Sequence, residues 1–160
     1  MEPYNQAAAA LLRARPTRQT TRHVVSAAPQ RIRILLADDC IANQAFIEAV
    51  LARWGIEPTI ASDGEEAVKR AHFSAFDLVL MDIVMPVLDG VAATRRIRQF
   101  GRDSKTSPTV PIIAYSSLNL VRDPAMHERT GLSDVLPKPC TSASLQACIE
   151  QWCPDRVPWG

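Results

Sequence analysis

The chain has 160 residues, 47% of them hydrophobic and 22% charged, with a formal net charge of +1. That length suits one domain with a real core, and the near-neutral balance carries no signature of a nucleic-acid or membrane-surface partner. No apolar run approaches the roughly 20 residues that a membrane-spanning helix needs.

Four cysteines, Cys40, Cys140, Cys148 and Cys153, show no metal-ligand spacing. They read as small buried thiols of a cytoplasmic protein. Residues 1–30 differ from the rest, with Arg13, Arg15, Arg18 and Arg22 against the single acid Glu2. Ala7 to Arg15 has helix-forming composition. From Pro16 to Pro29 no apolar period appears, so 1–30 is expected to be a flexible basic extension. Its Arg-rich, acid-poor composition also resembles a transit peptide.

Folding signals begin at Arg31. Ile32 to Ala37 is a strand-length apolar run that ends at Asp38-Asp39. Ala45, Phe46, Ala49, Val50 and Trp54 recur at helical spacing, and Gly55 stops that helix. Ile56 to Ala61 predicts a second strand, placed at an edge by Pro58. Asp63 heads a helix with Glu65 and Glu66 in its first turn and Ala67, Val68 and Ala71 as its apolar stripe. Asp77 to Met81 predicts a third strand, whose buried run delivers Asp82. Asp89-Gly90 signals a turn. Ala93, Ile97 and Phe100 then mark a helix, with Arg95, Arg96 and Arg98 facing outward. After a polar loop from Gly101 to Thr109, Val110 to Tyr115 predicts the fourth strand, ending at Ser116-Ser117. A helix is expected within Asn119 to Thr130, delayed or made irregular by Pro124. Ser133 to Leu136 is a short fifth strand before Pro137-Lys138-Pro139. Leu145, Cys148, Ile149 and Trp152 face the core from the last helix, and residues 154–160 are expected to be a loose tail.

Such an alternation predicts a parallel sheet with helices on both faces, and ligands then bind at the carboxyl ends of the strands. That edge collects Asp38 and Asp39 from the first strand, Asp82 from the third, Ser116 from the fourth and Lys138 from the fifth. Each alone could be a cap, a turn former or a solvated lysine, but their joint arrival points to chemistry. Three carboxylates that close repel one another by on the order of several kcal/mol at an effective dielectric near 20. One lysine does not neutralise them, and Mg²⁺, a hard cation that prefers oxygen ligands, does. A phosphoryl group is a natural further ligand, balanced by Lys138 and hydrogen-bonded by Ser116. Asp82 is then a candidate carboxylate nucleophile.

At these residues the sequence resembles the receiver domain of two-component response regulators. The matching pieces are Leu36-Ala37-Asp38-Asp39, Met81-Asp82-Ile83-Val84-Met85-Pro86 with Asp89-Gly90, Ala114-Tyr115-Ser116-Ser117, and Pro137-Lys138-Pro139. Asn43-Gln44, Gly64-Glu65-Glu66-Ala67 and Ala93 to Arg98 are most like the subgroup of hybrid histidine kinases and phosphorelays. The resemblance covers residues 31–153. It implies an α/β, flavodoxin-like, doubly wound sheet of five parallel strands in order 2-1-3-4-5. It implies that Asp82 takes a phosphoryl group from a phosphohistidine on a histidine kinase or histidine phosphotransfer protein. Mg²⁺ would be held by Asp38, Asp39, Asp82 and the backbone carbonyl of Val84. Ser116 and Lys138 would bind the phosphoryl group, and Lys138–Pro139 would be a cis peptide.

The sequence departs from the family where an aromatic residue often stands, three positions before the lysine, which here is Val135. Apolar Val84 and Leu118 flank the expected path of a hydrolytic water, which favours slow loss of the phosphoryl group. The expectation is thus a receiver acting by contact with a downstream effector protein, with no nucleic acid or membrane and no separate output module. The rival readings are a receiver-like binding module that is never phosphorylated and a Mg²⁺-dependent phosphohydrolase. The second lacks the usual acid two residues after its nucleophile, a position that Val84 fills after Asp82.

Overall fold

The computed structural model describes residues 31–100, 103–117 and 124–159. The expectations for 1–30, Leu118 and the first part of the 119–130 helix lie outside them. The strands are β1 (Ile34–Ala37), β2 (Thr59–Ala61), β3 (Leu78–Met81), β4 (Ile112–Ser116) and β5 (Asp134–Pro137). The helices are α1 (Ile41–Ala52), α2 (Gly64–Phe73), α3 (Gly90–Gln99), α4 (Pro124–Thr130) and α5 (Ser142–Trp152). All four pairings are parallel, and the order is β2-β1-β3-β4-β5, as expected.

Successive strand residues point to opposite faces, so the alternation sorts the core into two layers. Leu35, Ala37, Val79, Met81, Ile112 and Ala114 pack with Ala67, Ala71, Ala93 and Ile97 of α2 and α3. Ile34, Leu36, Leu78, Leu80, Ile113 and Tyr115 pack with Ile47, Leu51, Leu145 and Ile149 of α1 and α5. Both sheet faces are covered, which is why the strands read as unbroken apolar runs.

Local chemistry sets the helix starts. Asp63 Oδ1 accepts from Glu66 N at 2.8 Å and Asp89 Oδ1 from Ala92 N at 2.8 Å, each capping a helix. Thr141 and Ser144 form a capping box at α5.

Four expectations need correction. The buried face of α1 is Ile47, Val50 and Leu51, whereas Ala45, Phe46 and Ala49 are exposed. The helix is apolar on several sides, so its phase is decided by what packs against it. Arg98 is not outward but half-buried. Its guanidinium donates to the carbonyls of Gly131, Pro108 and Val110 at 2.6–3.0 Å. Cys40 is exposed, while Cys140, Cys148 and Cys153 are buried. The tail through Trp159 is not loose. A 3-10 turn at Pro154–Arg156 turns it back, and Trp159 packs on Trp54 with ring centroids 4.6 Å apart. Trp159 also donates to Glu150, and Arg156 pairs with Asp77.

Candidate functional site

The chain runs from β1 outward to β2 and then back across to β3, so β1 and β3 flank the point where the strand order reverses. Asp38 directly follows β1 and Asp82 directly follows β3, which puts both carboxylates at this switch point. The ladder continues into them. Asp38 N donates to Ala61 O at 3.0 Å and Asp82 N to Ala37 O at 2.8 Å. Both are buried, Asp38 fully and Asp82 to 7% exposure, while Asp39 is exposed. Carboxylate oxygens of the three lie within 4.8 Å of one another.

Lys138 closes the site. Its Nζ lies 2.6 Å from Asp38 Oδ2 and 2.6 Å from Asp82 Oδ2. It also sits 4.7 Å from the centre of the Tyr115 ring. Burial alone would lower the Lys138 pKa, but its hydrogen bonds and charge pairing with Asp38 and Asp82 outweigh burial and raise it. Burial pushes the Tyr115 phenol up as well. Lys138 is carried just beyond β5, where its backbone N–H donates to Ser116 O at 2.9 Å, and the peptide to Pro139 is cis as expected. Ser116 ends β4 in register with Pro137 and is buried. The structure therefore brings Asp38, Asp39, Asp82 and Lys138 into one cluster, with Ser116 on the strand beside Lys138. Val84 stands two residues past Asp82, and its N–H donates to Asp82 Oδ1 at 3.2 Å.

Two residues in the site entered the sequence reading only as a motif match. Asn43 Nδ2 donates to both carboxylate oxygens of Asp38 at 3.2 Å, and Gln44 Nε2 donates to the Asp38 carbonyl at 2.6 Å. Both lie in the first turn of α1, whose start is turned toward the site. The N–H of Cys40, the N-cap position, also donates to Asp38 Oδ1 at 2.9 Å. The available signal was spacing: five and six residues after Asp38 is one helical turn into the next element.

The loop from β3 to α3 is pressed onto its surroundings. A Cβ at Gly90 would overlap the Asp82 carbonyl oxygen, and one at Gly64 would overlap the Leu88 carbonyl oxygen. Between them Val87 holds φ at 67°. For a β-branched residue this costs on the order of 1–2 kcal/mol. Ile41, Val84 and Val87 are exposed to 79%, 64% and 78%.

The donor set fits Mg²⁺: all-oxygen, three carboxylates against one ammonium, with Asp39 open to solvent. A family model described as response regulator receiver domain matches residues 34–150. The Saccharomyces cerevisiae transcription factor SKN7 is 35% identical over 125 residues, which cover 78% of this chain and 19% of that protein. The chain thus spans about a fifth of that curated relative's length. The receiver domain of the sensor histidine kinase PA1611 from Pseudomonas aeruginosa superposes with a TM-score of 0.65 at 37% identity, covering 76% of this chain and 97% of that one. That structure is described with a magnesium ion coordinated in its active site cleft. The receiver domain of Saccharomyces cerevisiae Ssk1, in complex with the histidine phosphotransfer protein Ypd1, superposes with a TM-score of 0.66 at 28% identity, covering 81% and 97%. Strand order, switch-point carboxylates and sequence agree, and the chain belongs to the response regulator receiver domain family, the phosphoacceptor module of two-component signalling.

Proposed function

We propose that Asp82 is the phosphoacceptor and that residues 31–153 form the working receiver, preceded by a basic extension at 1–30. The observation that carries this is Lys138 Nζ bridging the buried carboxylates of Asp38 and Asp82 at 2.6 Å each. An Asp82 carboxylate oxygen attacks the phosphorus of a phosphohistidine. The new O–P bond forms as the N–P bond breaks, and the imidazole leaves with the electron pair of that bond. Asp38, Asp39, Asp82 and the Val84 carbonyl are the residues that would hold Mg²⁺, which supplies charge neutralisation between these carboxylates and the incoming phosphoryl oxygens. Lys138 pairs with a phosphoryl oxygen and Ser116 donates its hydroxyl to another. No acid follows Asp82 at the second position, where Val84 stands, so the domain holds the phosphoryl group as a signal rather than turning over esters.

The donor is a histidine kinase or histidine phosphotransfer protein, and the output is altered contact with a downstream effector protein. Val135 is buried where an aromatic switch is common, so the change at Asp82 reaches the surface through backbone and helix shifts. No helix among the described residues is long and apolar enough to cross a membrane. The reduced thiols and a phosphohistidine donor suit a cytoplasmic setting. Incubation with acetyl phosphate and Mg²⁺ tests the reading. One phosphoryl group is expected per chain, absent in Asp82→Asn and in EDTA. Labelling that survives either condition overturns it.

A further inference from the structure

Among the described residues Val87 is the non-glycine residue with positive φ. Leu88 N donates to Pro86 O at 2.7 Å, which closes a strained three-residue turn with Val87 at its centre. The backbone around the turn is closely packed, since a Cβ on Gly64 would overlap the Leu88 carbonyl within the turn and one on Gly90 the Asp82 carbonyl before it. Glycine at 87 would take the same backbone without steric conflict. Valine keeps the strain and leaves its side chain 78% exposed, so little inside the domain rewards it. A strained position held in place beside a reactive group points to function.

Two further exposed apolar residues flank the acidic cleft. Ile41 follows Cys40, which bonds Asp38, and Val84 bonds Asp82 through its own N–H. A phosphohistidine must bring its phosphorus to bonding distance of an Asp82 oxygen. Any protein that carries it therefore covers the rim of this cleft.

We propose that Val87 is a specificity-determining residue for the phosphodonor protein. The strained turn holds its branched apolar side chain outward to seat against an apolar patch around the donor's histidine. This rests on the phosphoacceptor reading above. It adds that the β3–α3 turn sacrifices stability of the free domain for recognition.

The test compares wild type, Val87→Gly and Val87→Thr with two donors. One is acetyl phosphate. The other is whichever member of a panel of phosphorylated histidine phosphotransfer proteins, Ypd1 among them, reacts fastest with wild type. Val87→Gly is expected to raise Tm by about 3–6 °C. It is also expected to lower transfer from the protein about tenfold relative to labelling by acetyl phosphate. Val87→Thr keeps the branch and the strain but makes the contact polar, so it should lower the same ratio several-fold without the gain in Tm. An unchanged ratio in Val87→Gly overturns the inference. So does a wild-type ratio in Val87→Thr, because the loss in glycine would then come from loop flexibility. If wild type is labelled by acetyl phosphate but accepts from no phosphoprotein, the donor assignment and this inference fall together. If acetyl phosphate labels nothing, the phosphoacceptor reading itself falls.

Discussion

Lys138 reaches across β4 to bond Asp38 and Asp82, which directly follow β1 and β3, with Nζ at 2.6 Å from an oxygen of each. One ammonium thus offsets part of the charge of two buried carboxylates, while Asp39 stays open to solvent. Three carboxylates against one ammonium leave an excess of negative charge that attracts a divalent cation.

Lys138→Met is expected to lower stability by about 3 kcal/mol in EDTA, because two buried carboxylates lose their counter-charge. It should also tighten Mg²⁺ binding at least threefold, since an ammonium no longer repels the cation. Thermal melts across a Mg²⁺ titration check both. Weaker Mg²⁺ binding in the variant would contradict the charge argument.

Gly90→Ala is expected to damage the acceptor and the fold together. The added Cβ would overlap the Asp82 carbonyl oxygen, so backbone must move where Asp82 is held. A loss of about 2 kcal/mol or more is expected in urea unfolding, with slower labelling by acetyl phosphate in the fraction that remains folded. Gly55→Ala serves as the contrast. Gly55, unlike Gly90, has positive φ but meets nothing within 4 Å, so Gly55→Ala should cost about 1 kcal/mol and leave labelling intact.

Arg98 binds the α3–β4 loop and the α4–β5 loop to one helix through carbonyls of Pro108, Val110 and Gly131. Arg98→Ala leaves those acceptors short of donors and is expected to cost about 2–4 kcal/mol. Arg98→Lys should recover little of it, because an ammonium lacks the planar fork that reaches all three carbonyls. Urea midpoints at constant m-value measure both variants.

Alkaline pH should weaken the fold. Burial, with help from the Asp77 charge, pushes the Cys153 thiol up to about 11 from 9.0. A group whose folded pKa is raised gives its full stabilisation below the unfolded value and loses it as pH rises through the folded value. For Cys153 that window runs from 9.0 to about 11, and the loss is on the order of 2 kcal/mol. Cys140, Tyr115 and Lys138 are raised too and act in the same direction at high pH. Urea midpoints should hold steady below pH 9 and fall above it, less steeply in Cys153→Ala. A flat profile through pH 11 would contradict the burial of this thiol.

Much of the site was legible because parallel strands all present their carboxyl ends at one edge. Once the apolar runs ending at Ala37, Met81 and Tyr115 are recognised, the residues that follow them must meet there. What escaped was phase and distance. The helix Ile41–Ala52 is apolar on more than one side, so its buried Ile47–Val50–Leu51 face could not be told from the Ala45–Phe46–Ala49 face before the sheet was in place. Asn43 beside Asp38 follows from how that helix starts against the first strand.

By itself the sequence determined the layering, the strand order implied by family resemblance, and the acidic edge, since strand period, capping residues and motif spacing are local properties. Only the tertiary structure decided that Arg98 turns inward, that Trp159 returns to Trp54 and that Val87 is held at positive φ. Each of these involves groups beyond the local turn: the Gly131 carbonyl 33 residues from Arg98, a ring on another element, and Gly64 against the Leu88 carbonyl next to Val87. Propensity and periodicity act over one or two turns, whereas burial and strain depend on what the rest of the chain brings to the same place.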